Sequence, residues 1–237
     1  MDISFWKTLN ADVGFKETKK QFYGKYLWRM EIAAICADVA FDVDPEKAVA
    51  LIKWQAANRS NFGGSWKQPY WHYSTQYDKV DYDLLRSIKA IKENFANIKT
   101  RIEHHSMQFY TETQNDLKLV ARTLTDPNCI RYVTGPKPGT EQLLSANAII
   151  APKISFKYKV LIRDGNYSPA IKKQLFSLLE AQEDSVKLTA GVKHGFNRPY
   201  PGTWGLFFYT NDLAVTTMMS LICPGIIGKI HEVVQAE

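Results

Sequence analysis

The chain has 237 residues, 45% hydrophobic and 23% charged, which is an ordinary soluble composition with room for one or two domains that each bury a core. Its net charge of +6 is mildly basic and permits a nucleic-acid or acidic partner without requiring one. Cys36, Cys129 and Cys223 are widely spaced, odd in number and free of any CxxC pair, which argues against a disulfide framework or zinc knuckle and for a reducing, intracellular setting.

Residues 1–20 read as an N-terminal arm with a short helix, too polar for a signal peptide. The first strand is expected over 24–35, with Tyr26, Trp28 and Met30 on one side and Lys25, Leu27, Arg29 and Glu31 on the other. Asp44-Pro45 supplies an acceptor at N-cap and proline at N1, so a helix should run through EKAVALIKWQAANR. The aromatic segment NFGGSWKQPYWHYSTQYDKVDY follows, long for a loop in a compact domain. After Asp81, the helical spacing of Leu84, Leu85, Ile88, Ile91 and Phe95 predicts a second helix. IKTRIEHH and SMQFYTE are strand material, Asp116 opens the helix LKLVARTL, and IRYV closes the unit.

The connector 135–153 carries Gly135, Pro136, Pro138, Gly139 and Pro152 and reads as a linker. In 154–237, FKYKVLIR is a strand and Ser168-Pro169 opens the helix AIKKQLFSLLEAQ. SVKLTAGVKHG and GTWGLFFYTN are strands, Asp212 starts LAVTTMMSLI, and GIIGKIHEVV is a last strand or a helix. That C-terminal apolar stretch is broken by Pro224, Gly225 and Gly228 and falls short of a membrane span.

Two stretches share one order of elements. FYTETQNDLKLVARTLTDPNCIRYV from Phe109 is a loose copy of FYTNDLAVTTMMSLICPGIIGKI from Phe208, and YGKYLWRMEI from Tyr23 resembles SFKYKVLIRD from Ser155. The fold class expected is α+β: two tandem ferredoxin-like (βαββαβ, RRM-like) units related by internal duplication, at 21–134 and 154–237. Residues 45–82 are then a helical and aromatic insertion in the first unit.

In such a unit both helices cover one sheet face, and the open face suits single-stranded nucleic acid, with bases on aromatics and phosphates on cations. If Val160 and Ile162 face the helices, Lys157, Lys159, Leu161 and Arg163 face outward. Putting Leu206 and Phe208 inward leaves Phe207 and Tyr209 outward. Arg29, Gln108 and Tyr110 hold the equivalent positions in the first unit. Lys193, His194 and Arg198 lie in KHGFNRPYPGTWG, read as a basic hairpin loop with cations placed to grip phosphate. Trp66, Tyr70, Trp71 and Tyr73 in the insertion are expected to pack or to dock another protein chain.

Sharper chemistries lack support. His104 and His105 are adjacent on a strand and point to opposite faces, so they do not make one metal site, and the histidine spacing of rolling-circle nucleases is absent. There is no phosphate loop, no dinucleotide fingerprint and no local nucleophile motif. Asp116 and Asp212 precede apolar helices and read as N-caps. The expectation is a non-enzymatic protein without metal or cofactor that binds single-stranded DNA or RNA as an accessory in replication, transcription or RNA handling. The alternative is a structural adaptor that docks other subunits through its sheets and aromatic insertion; a nuclease stands third.

Overall fold

A computed structural model describes residues 2–34, 46, 47, 50, 54, 81–103 and 106–235. Most of the expected insertion, including Trp66, Tyr70, Trp71 and Tyr73, lies outside the described residues, as do Cys36, His104 and His105. The chain is α+β, and its described residues form two mixed five-stranded sheets and a two-stranded ribbon. It divides into two compact units: residues 1–18 with 25–141, and 19–24 with 142–237. No helix among the described residues is long and apolar enough to cross a membrane.

The first unit contains α1 (Ile3–Leu9), β1 (Gly14–Thr18), β2 (Trp28–Ala33), α2 (Tyr82–Asn94), β3 (Lys99–Glu103), β4 (Ser106–Thr111), α3 (Gln114–Thr123) and β5 (Ile130–Pro136). Its sheet order is β1-β5-β2-β4-β3; β1 runs parallel to β5 and the other neighbours are antiparallel. Asp81 caps α2 by accepting from the Leu84 N–H. Asp116 is not the cap of α3, contrary to expectation: Thr113 accepts from the Asp116 N–H, and its hydroxyl donates to the Asp116 carboxylate.

The residues read as an N-terminal arm pack into the first unit. Trp6 of α1 is buried in one core with Met30, Ile32, Ile88, Phe109 and Leu117, and β1 is a sheet strand. Asp2 caps α1, accepting from the Phe5 N–H, and the Lys118 ammonium 2.7 Å away holds its carboxyl down at about 2. Gly135 continues β5 beside Trp28, where any Cβ would sit 2.1 Å from the indole.

The second unit contains β6 (Ala148–Ile150), β7 (Tyr158–Ile162), β8 (Gly165–Asn166), α4 (Pro169–Glu180), β9 (Val186–Leu188), α5 (Ala190–Asn197), β10 (Gly202–Thr203), β11 (Phe207–Thr210), α6 (Ala214–Ile222) and β12 (Ile227–Val234). Its sheet order is β6-β12-β7-β11-β9, with β6 parallel to β12 and the rest antiparallel. Ser168 caps α4 from outside Pro169 at its first turn, as the sequence predicts. The C-terminal stretch is a strand, β12, rather than a helix.

Two expected strands differ. GTWGLFFYTN is split into β10, which pairs with β8, and β11, which lies in the main sheet. SVKLTAGVKHG is a three-residue strand followed by helix α5, capped by Thr189 accepting from the Val192 N–H. Lys193 and His194 therefore sit on a helix, and Arg198 is its C-terminal cap residue. Val192 and Phe196 of α5 join Val160, Leu175, Phe208 and Met219 in the core, so α5 packs on the helix-bearing face.

Lys172 on α4 is fully covered, and its ammonium donates to three backbone carbonyls: Gly195 at 3.0 Å, Arg198 at 3.0 Å and Tyr200 at 2.6 Å. These bonds fasten the segment after α5 to α4. Burial and the nearby Arg198 push the amine below its ordinary value. Replacing Lys172 with Met keeps the stem but strands three acceptors. Urea unfolding of Lys172→Met should show a loss of about 3 kcal/mol, the range for breaking a buried charge-assisted set; an unchanged midpoint contradicts the fastening role.

Candidate nucleic-acid interface

The register of β7 against β11 builds the site. Val160 pairs with Phe208, and both are fully buried under the helices. Side chains alternate along a strand, so the neighbouring pairs Lys159↔Tyr209 and Leu161↔Phe207 emerge on the opposite face. The register continues outward: β9 places Lys187 beside Tyr209, and β12 places His231 beside Lys159. One row across the sheet therefore reads His231, Lys159, Tyr209, Lys187.

The row is ordered by its own contacts. The Lys159 ammonium lies 3.6 Å from the Phe207 ring centroid, and the Phe207 and Tyr209 rings meet edge to face at 5.7 Å and 87°. Both rings are half-buried, so each keeps an accessible surface. Lys157 lies one two-residue step from Lys159 and is exposed. Arg163 lies two steps the other way and is exposed, with its guanidinium beside Gly225.

Sequence reasoning missed the contribution of β12 and of residues 19–24. His231 is 6% exposed, and its Nδ1 is covered without a hydrogen-bond partner. Lys229 donates to the Ala146 carbonyl at 3.0 Å, and Lys20 bridges to Ile149 at the edge of the same sheet. Burial, with Lys229, Lys20 and Lys159 close by, holds the imidazole below its ordinary value. Burial and then Lys20 pull the Lys159 amine down as well. No carboxylate acts on either group in the described structure. The signal for this end was Lys229 and His231 alternating in phase along GKIHEVV, readable only once that segment is a strand next to β7.

The net charge gathers in this unit. Residues 19–24 and 142–237 hold 12 Lys and Arg against 7 Asp and Glu, +5 of the chain's +6; the remaining 18 and 17 leave the first unit at +1.

The other residues singled out from the sequence do not join this row. Lys193 and Arg198 are exposed on the helix-bearing side. In the first unit, Arg29 pairs across from Tyr110 on the outer face, but Tyr110 is 3% exposed, its hydroxyl donates to the Gln108 amide oxygen, and Tyr26 packs near it. Gln108 donates in turn to Glu103 at 3.1 Å, and Arg29 donates to Thr134 at 3.3 Å. That face is occupied by its own polar network. Among the described residues no group of three His, Cys, Asp or Glu side chains is placed to hold a metal.

No protein-family model matches the chain, and no curated protein matches it. The geometry of the second sheet therefore carries the functional reading.

The depressed His231 imidazole fixes the sign of one stability effect. The unfolded chain takes up a proton near the ordinary histidine value, while the folded protein resists until lower pH. Stability from this group is present above the ordinary value and is lost as pH falls below it, at no more than about 1.4 kcal/mol per pH unit for one proton. Thermal melts between pH 7.5 and 5 should fall more steeply for the native protein than for His231→Gln; parallel curves contradict the assignment.

Proposed function

We propose that the chain is a single-stranded nucleic-acid-binding protein whose binding surface is the outer sheet face of the second unit. The observation that carries this is the row His231, Lys159, Tyr209, Lys187, with Phe207 beneath the Lys159 ammonium and, among the described residues, no carboxylate acting on Lys159 or His231. Bases stack on Phe207 and Tyr209, and the surrounding cations take phosphates. Lys159 of β7 and Lys157 and Arg163, which flank the strand, are the cations in this scheme, and Lys187 extends it along β9. Lys193 and Arg198 sit on the other side and are left out, as are Arg29 and Tyr110.

The fold reading behind it is that both units are ferredoxin-like and arose by duplication. Setting aside β1 and β6, each sheet has the order fourth, first, third, second strand: β5-β2-β4-β3 and β12-β7-β11-β9. Helices follow the first and third strands in each, α2 and α3 in one, α4 and α6 in the other. A leading strand parallel to the fourth is shared as well, which supports descent from one ancestral unit over independent assembly.

The face does not depend on a particular base, because stacking and phosphate contacts are tolerant of sequence. An accessory role in replication, transcription or RNA handling fits such a binder.

Fluorescence anisotropy with short DNA and RNA oligomers across a salt series tests the reading. Lys159→Ala should weaken binding to all sequences and reduce the salt slope by about 0.7, one phosphate's share for a single strand. Tyr209→Ala should cost about 1–3 kcal/mol with little change in slope. No binding at low salt overturns the proposal and puts the protein-docking adaptor in front; binding untouched by both substitutions places the site elsewhere.

A further inference from the structure

We propose that His231, Lys159, Lys229 and Lys20 form a seat for a phosphate group at the β12 end of this face, with His231 as a ligand that takes up a proton when the phosphate binds. This deepens the nucleic-acid reading and rests on it: it names the part of the strand held beside the Phe207–Tyr209 pair.

The seat converges from three parts of the second unit. Lys159 comes from β7, Lys229 and His231 from β12, and Lys20 from the segment that bridges to Ile149 of β6. His231 and Tyr209 both pair with Lys159, from opposite sides, so they stand two strands apart, about 10 Å, and a phosphate here is within one or two nucleotides' reach of a base on the rings. Cross-strand spacing near 5 Å per strand sets that reach.

The imidazole is the feature that points to a ligand. It is more than nine-tenths buried, it hydrogen-bonds the Asn147 backbone, and its Nδ1 has no partner. A buried polar atom without a partner is costly, and such atoms are normally satisfied. Among the described residues, the charged groups that act on the ring are cations: Lys229, Lys20 and Lys159. In that field a neutral ring offers Nδ1 only as an acceptor. A phosphate reverses the balance. A proton from solvent enters Nδ1, the ring donates to a phosphate oxygen, and the anion offsets the lysine repulsion. Glu232, the adjacent carboxylate, pairs across from Tyr158, a residue of the opposite phase, and does not act on the ring.

The sign follows. Without ligand the imidazole is held low; with ligand it rises, so binding takes up a proton. Affinity climbs as pH falls through the interval between the two values, approaching about tenfold per pH unit, and is flat on either side.

The experiment is a histidine-selective NMR titration of the full chain between pH 8 and 5, with the His231 resonances assigned by their loss in His231→Gln. It is run free, with pyrophosphate, with a short thymidine oligomer, and with the same oligomer carrying a neutral methylphosphonate backbone. The seat predicts that pyrophosphate and the ordinary oligomer raise the His231 titration midpoint while the methylphosphonate oligomer does not. His231→Gln should remove the gain in oligomer affinity as pH falls from 8 to 5. An unmoved midpoint, or an equal shift from the neutral oligomer, overturns the seat. If oligomers bind in a manner dependent on Tyr209 while the midpoint stays put, the seat fails and the nucleic-acid reading stands. If pyrophosphate moves the midpoint but no oligomer binds at low salt, the seat is an anion site and the nucleic-acid reading fails.

Discussion

The pairing of Val160 with Phe208 fixes what the second unit can do. Both side chains are fully buried beneath α4, α5 and α6, and burying a chain of that size contributes about 2–3 kcal/mol. A slip of one residue would expose both and drive Lys159 and Tyr209 into the core. The core therefore enforces the chemistry of the opposite face: with Val160 and Phe208 held inward, Lys159, Leu161, Phe207 and Tyr209 have one place to go. The same constraint reaches β12 and β9, because His231 and Lys187 are registered on the β7–β11 pair.

Electrostatics separates the two units as clearly as packing does. Ion pairs whose partners are both described lie in the first unit: Lys25 with Glu112, Arg86 with Asp83, Lys118 with Asp2. Its outer sheet face is consumed by the Glu103–Gln108–Tyr110 hydrogen bonds. The second unit holds nearly all of the net charge, and burial, with neighbouring cations adding to it, depresses Lys159 and His231. A protein that keeps cations crowded in this way loses some stability by it, a cost that a bound anion offsets.

Much of this was legible in the sequence, because local signals and the core agreed. Ser168-Pro169 opens α4 and Asp81 opens α2 as read. The alternation of KYKVLIR and GLFFYT identified the outward Lys159, Phe207 and Tyr209. What stayed hidden depended on distant partners. β1 and β6 are short strands that exist by pairing with the ends of β5 and β12. Helix α5 was masked by the strand-like segment SVKLT before it and by Gly191 and Gly195. A Cβ at Gly195 would lie 2.8 Å from a Leu206 methyl, which would have to shift, and the spacing of Val192 and Phe196 was the one helical signal. Lys172 carries no mark of burial in sequence, since its role arises from three carbonyls more than twenty residues away. His231 joined the site only through the register of β12, which a segment readable as strand or helix does not reveal.

The central claim is that the sheet face bearing Phe207 and Tyr209 receives the bases of a single strand. Ultraviolet crosslinking of an oligomer containing 5-iodouridine, followed by mass-spectrometric mapping on the full chain, tests it most directly. The account predicts adducts on Phe207 or Tyr209, lost in the Tyr209→Ala and Phe207→Ala proteins. Adducts confined to residues 55–80, or to the exposed Tyr200 and Trp204, would contradict it.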